Sequence, residues 1–169
     1  MRRIIGAIAV ATLVGAGAVA MTTGAAAADR TRTVEFTGTS VYDGPTECGT
    51  FHQVFDAALT TRRGDTLHID GCVDLGSFPF PYTGTFVIDS PGQRDLTGTA
   101  TGVIGTEPSA TCSGDYVAAG FEFVLTPTAE TGRPAAPLQA NGTWCSSATP
   151  GVPGPISGTL TGPLPPGLG

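Results

Sequence analysis

The chain has 169 residues, with eight basic and fourteen acidic side chains, a formal net charge of −6, and no lysine among the basic ones. An acidic balance of this kind argues against a nucleic-acid partner and against docking on an anionic membrane surface, and neither is expected. The length suits one domain with one real core, and the 25 glycines and 14 prolines fall between alternating apolar runs, so the chain is turn-rich without being low-complexity.

Arg2 and Arg3 precede an apolar stretch from Ile4 to Met21, and small residues follow, ending Ala25-Ala26-Ala27-Ala28. This layout predicts a secretory signal peptide over residues 1–28, cut before Asp29. The alternative is a retained anchor, since the apolar run is almost long enough to span a bilayer, but its Gly and Ala content makes it weakly hydrophobic. After cleavage six arginines face fourteen acids, and the expected product is a secreted, extracellular domain free of the membrane. Four cysteines in an oxidising compartment imply two disulfides. None has the C-x-x-C spacing of a zinc site. Of the three connectivities, Cys48–Cys72 with Cys112–Cys145 is favoured, because each pair brackets one pair of expected strands.

The mature chain opens with a strand at Thr33–Val41, Val34 and Phe36 facing inward and Glu35, Thr37 and Thr39 outward. Tyr42-Asp43-Gly44-Pro45 reads as a turn. Gly49–Leu59 puts Phe51, Phe55, Ala57 and Leu59 on one strand face, although Phe51, Val54, Phe55, Ala58 and Leu59 also fit a helical stripe; strand is preferred for its neighbourhood. Thr61–Asp65 is a turn. Thr66–Leu75 follows, with Leu67, Ile69, Gly71, Val73 and Leu75 inward and His68, Asp70, Cys72 and Asp74 outward.

Gly76–Pro81 (GSFPFP) breaks the ladder, since proline cannot donate to it. Thr83–Asp89 and Arg94–Val103 then form a hairpin around Ser90-Pro91-Gly92-Gln93. Pro91 presets φ and Gly92 supplies the positive φ of a type II turn. Glu107–Asp115 is a loop carrying Cys112. Tyr116–Thr128 places Val117, Phe121, Phe123 and Leu125 inward and Glu122 outward. Glu130–Pro134 is a turn. Leu138–Ser146 places Leu138, Ala140 and Trp144 inward, with Asn141, Thr143 and Cys145 outside. Thr149–Pro155 connects to Ile156–Thr161, where Ile156 and Leu160 face in. Cys72 and Cys145 lie on polar faces, so both bonds should sit outside the sheet near its ends. Gly162–Gly169 reads as a loose, disordered Gly/Pro tail.

Eight short strands with no room for crossover helices give an antiparallel all-β domain over residues 29–161, a closed barrel with a β-sandwich as the alternative. Small inward residues (Gly98, Ala100, Gly102, Ala140, Gly142 and Gly158) favour the barrel, permitting curvature and taper or leaving a pocket.

The succession GTFVIDSPGQRDLTGTATG (Gly84–Gly102), FEFVLTPTAETGRP, LQANGTW and ISGTLTG resembles small exported bacterial proteins with an allene-oxide-cyclase-like or dirigent-like barrel. Thr131-Gly132-Arg133 and Gly142-Thr143-Trp144 fall at matching places, while Pro134 stands where that pattern has Phe. The resemblance spans roughly residues 84–162 and implies the fold. Relatives that cyclise an epoxide or guide phenoxyl-radical coupling have site motifs this chain lacks, so no activity carries over.

His68 and Asp70 share one strand face, and His52, if beside them on a neighbouring strand, completes a two-His-one-carboxylate set. The commoner meaning of such alternation is a solvent-facing polar ladder. Glu122 is expected outward, Trp144 in the core, and Asn141-Gly142-Thr143 is a formal glycosylation sequon. No nucleophile elbow, HExxH, P-loop or EF-hand pattern occurs. No catalytic, metal or cofactor-binding residue is assigned and no cofactor is expected. The sequence thus points to a secreted binding or structural barrel holding a small apolar ligand. A barrel cyclase acting on a hydrophobic substrate is one alternative. A protease-inhibitor-like protein presenting the Gly76–Pro81 or Glu107–Cys112 loop is another, although the two Phe of the former are expected to plug one barrel end.

Overall fold

The computed structural model describes residues 31–45, 48, 51–128, 136–164 and 168. The expected signal peptide over 1–28 and the Glu130–Pro134 turn lie outside the described residues. Eight strands run in order: β1 (Arg32–Pro45), β2 (Phe51–Leu59), β3 (Thr66–Val73), β4 (Phe80–Asp89), β5 (Leu96–Thr106), β6 (Val117–Pro127), β7 (Leu138–Ser146) and β8 (Gly154–Gly162). Each pairs antiparallel with the next, and β8 returns to β1, closing a barrel without a free edge. The sandwich alternative is thereby excluded. Phe51–Leu59, readable as helix or strand, is a strand, because its odd-numbered residues meet inward residues of both neighbours (Phe55 opposite Ser40 and Ile69).

Alternation decides the core. Val34, Phe36, Phe55, Leu67, Ile69, Phe86, Ile88, Phe121, Phe123, Leu125, Trp144, Ile156 and Leu160 are buried together. The inward glycines do not leave a hollow. Gly102 lies between Tyr82 and Phe123 in the register, and those two rings close over it with centroids 4.7 Å apart. Gly142 and Gly158 are paired neighbours flanked by Phe121 and Phe36, whose rings approach to 6.2 Å across them. Gly98 stands opposite Phe86, where an added Cβ would come within 2.7 Å of the ring. Absent side chains on one strand make room for rings from the next, and Phe55 fills the centre against Phe121 and Phe123 at 5.2 and 5.3 Å.

Both expected disulfides form, Cys48–Cys72 and Cys112–Cys145, each with Cα atoms 5.6 Å apart. The turn between β4 and β5 is also as expected: Gly92 has φ 76°, and the Gln93 N–H donates to the Ser90 carbonyl at 2.9 Å.

Several boundaries differ from expectation, each for a local reason. Tyr42–Pro45 continues β1 instead of turning, the surplus residue being absorbed by an irregularity between Asp43 and Pro45. Leu75 is not inward but 44% exposed, because β3 ends at Val73 and the Asp74 carboxylate captures the Gly76 N–H. Pro81 lies inside β4 at a position that needs only its carbonyl, which accepts the Asp74 N–H. Val117 keeps inward parity but sits at the first position of β6, beyond the last core layer, and is 68% exposed. The Gly162–Gly169 stretch is not loose where it is described: Leu164 and Leu168 are buried in the core, since two leucines among prolines still gain by covering the apolar barrel interior.

Candidate functional site

The two barrel ends differ. One end, the base, carries the β2–β3 and β4–β5 turns and the paired ends of β1 and β8. The other, the mouth, carries the β1–β2, β3–β4, β5–β6 and β7–β8 connections. Both disulfides lie at the mouth, where Cys72 is the penultimate residue of β3 and Cys145 of β7. Every large hydrophobic residue exposed among the described residues is there too: Leu75, Phe78, Val117 and Val152.

Inside this rim the mouth holds a cup of about 180 Å³. Its aromatic walls are Tyr42, Phe51, Phe80 and Trp144; Val73, Leu75 and Ile104 add aliphatic surface, and Gln53 and Ser146 supply the polar atoms. Tyr42 reaches its place because β1 runs on past Val41, and its hydroxyl donates to the Ser147 carbonyl at 3.0 Å. The Tyr42 ring stands at 66° to Phe51 and 74° to Trp144, so the three rings make a corner and do not stack. Phe80 lines the cup while Phe78, 73% exposed, packs edge-on against it at 5.4 Å. The GSFPFP segment therefore forms a lip; only one of its two Phe lines the end, and the expected plug is corrected on that point.

Beneath the cup lies a short polar layer. The Gln53 amide donates to Ser40 Oγ at 2.9 Å, Ser40 Oγ donates to the Val54 carbonyl, and the Tyr82 hydroxyl donates to the Gln53 carbonyl at 3.1 Å. Burial, with the Asp70 charge adding to it, holds the Tyr82 phenol far above the usual tyrosine range. The phenol is thus a fixed hydrogen-bond donor and has no proton to give in neutral solution. The sign of the linkage follows: unfolded chains lose the Tyr proton above about pH 10 while the folded chain keeps it, so stability is full below that pH and falls as pH rises beyond it. Urea midpoints measured from pH 8 to pH 11 should fall steeply above pH 10 (about the free phenol pKa) and less steeply for Tyr82→Phe. Equal slopes would show that Tyr82 ionises as readily in the folded state.

The Trp144 indole nitrogen, although buried, has no hydrogen-bond partner among the described residues. It faces the backbone of Gly154, where an added Cβ would stand 3.4 Å away.

His52, His68 and Asp70 do not come together as one site. They lie on the outer wall of β2 and β3 and divide into two pairs: His52 Nε2 to Asp70 Oδ1 at 2.6 Å, and His68 Nδ1 to Asp56 Oδ1 at 2.7 Å. Asp43 stands 3.9 Å from the other nitrogen of His52. Among the described residues no group of three or more His, Cys, Asp or Glu side chains is placed to hold a metal ion. Glu122 is exposed on the outer wall as expected, beside Asn141 and Glu107 in a groove of about 360 Å³ that the β5–β6 loop helps to line. That loop corrects one expectation. Thr143, on the outward face, is buried because its Oγ1 accepts the Ser109 and Ala110 N–H groups at 2.9 and 3.0 Å.

Sequence reasoning named Trp144 and the Phe residues as core and so missed the cup. Tyr42, Gln53 and Ile104 carried no signal for it beyond inward parity, which says which face a residue is on but not how near the rim it stands. No protein-family model, curated protein or solved structure matches this chain.

Proposed function

We propose that this chain is an exported binding module whose mouth cup holds a small apolar ligand. The observation that carries the reading is a mostly apolar, aromatic-walled cup of about 180 Å³ set above a packed interior. An apolar cavity of about 150 Å³ is enough to take a benzene-sized molecule, so the cup suits a ligand of one ring or slightly more. The two disulfides at the mouth support an oxidising, extracellular setting and tie the β1–β2 and β5–β6 connections to β3 and β7.

The alternative of a barrel cyclase is less well supported. Such chemistry needs polar groups aimed into a water-excluded cavity, and the centre of this barrel is occupied by Phe55, Phe121 and Phe123. The resemblance to allene-oxide-cyclase-like and dirigent-like barrels accordingly extends to architecture alone. The exposed Phe78 is assigned to the lip of the cup, not to an inhibitory loop.

The chain has a single tryptophan, and it lines the cup. Titration with toluene should therefore shift the one indole N–H resonance and the Trp emission, and Ile104→Trp, which fills the cup, should abolish binding while the barrel stays folded. Toluene binding that survives Ile104→Trp would move the site elsewhere.

A further inference from the structure

Resting on the reading of the cup as a site for a small apolar ligand, we infer that it prefers an apolar body carrying an alkylated ammonium group over a neutral hydrocarbon or an anion of the same shape. Three observations converge. The first is charge. Among the described residues, the carboxylates Asp43, Asp74, Glu107 and Asp115 belong to the mouth, at the end of β1 or in mouth loops. The described arginines all belong to the base: Arg32 opens β1, Arg62 and Arg63 lie in the β2–β3 turn, and Arg94 lies in the β4–β5 turn. A ligand entering the mouth meets an excess of carboxylates with no described arginine beside them and only His52 near Asp43, an arrangement that draws in positive charge and repels a carboxylate or sulfonate.

The second is the placement of those acids. Asp43 follows Tyr42, and Asp74 lies between Val73 and Leu75, so each acid is next in sequence to the lining without being part of it; the Asp43 carboxylate stands 3.9 Å from His52, and that of Asp74 accepts the Gly76 N–H. Within a Debye length of about 8 Å in physiological salt their charge is felt by a bound ion.

The third is the wall itself. Four aromatic side chains surround a cavity with few polar atoms, and Phe51, Tyr42 and Trp144 are steeply inclined to one another. Rings so inclined cannot all turn the same part toward one point, and a ring face turned to the cup attracts an alkylated ammonium group through the ring quadrupole. An alkylated cation also tolerates the absence of acceptors, since it has few or no N–H groups left unsatisfied. A primary ammonium would lose its water here without replacement.

The test compares three molecules of one shape: phenyltrimethylammonium, its neutral counterpart tert-butylbenzene, and the anion benzenesulfonate, each followed by the Trp144 indole resonance of the full mature chain. The cation should bind at least tenfold more tightly than tert-butylbenzene, and benzenesulfonate most weakly. Asp43→Asn combined with Asp74→Asn should weaken cation binding several-fold and leave tert-butylbenzene unchanged. Phe51→Leu should weaken the cation more than the hydrocarbon. Equal or tighter binding of tert-butylbenzene, or a preference for benzenesulfonate, would overturn the cation assignment while leaving the cup as a ligand site. Failure of all three to move the resonance would overturn both.

Discussion

Gly102→Val should cost the barrel about 3 kcal/mol or more, the upper range for forcing extra methyl groups into a filled core. The glycine lies under the Tyr82 and Phe123 rings, and an added Cβ would stand 2.8 Å from Phe123 Cδ1 and closer still to the Glu122 carbonyl. Valine adds two further methyl groups in that space, so either the rings part or β5 separates from β6. Phe123 also packs on Phe55 and Phe121, so its displacement spreads through the centre of the core. Gly44→Ala is the control: nothing lies within 4 Å of a Cβ there, and its denaturant midpoint should stay near that of the parent chain. If Gly102→Val unfolded at the parent midpoint, the glycine would face empty space and the barrel would be hollow.

Breaking both disulfides should remove about 6–8 kcal/mol, since each closes a loop worth about 3–4 kcal/mol in the chain-entropy model. The bonds span 24 and 33 residues of sequence, and the two loops do not overlap, so their contributions should add. That sum rivals the whole stability of an ordinary domain, about 5–15 kcal/mol. Cys48→Ala with Cys72→Ala, or the other pair alone, should therefore give a folded barrel with a lower melting temperature. Full reduction should populate unfolded chain without added denaturant. Urea unfolding of the oxidised, singly bridged and reduced forms checks this. A reduced form within about 2 kcal/mol of the oxidised one would mean that the unfolded chain is restricted by something other than its bridges.

Period-two alternation made the strands and their inward faces legible, because a strand with one buried face must place its apolar side chains on every second residue. It also located the Ser90–Gln93 turn, where proline and glycine leave little choice of conformation. Alternation is silent about depth. Val117 and Leu75 share parity with Phe121 and Ile69, yet both stand at the rim and are exposed. The inward glycines were visible, but their partners were not. Whether Gly142 and Gly158 open a pocket or admit rings depends on the register that sets Phe121 and Phe36 on either side. Burial of Thr143 under a loop and of Leu164 and Leu168 in the core likewise depends on how connecting segments lie on the barrel, and no periodicity records that. The cup escaped notice for the same reason. It is assembled from strand ends and the β3–β4 lip, and its residues are apolar types that read as core.

The central claim is that the barrel is filled at its centre and receptive at its mouth. Crystals of the oxidised chain soaked in bromobenzene test it most directly, because the bromine can be located by anomalous scattering. The bromine should appear in the cup among Tyr42, Phe51, Phe80 and Trp144, with none deeper in the barrel. A bromine site among Phe55, Phe121 and Phe123, or an empty cup in a crystal that leaves the mouth open to solvent, would contradict it.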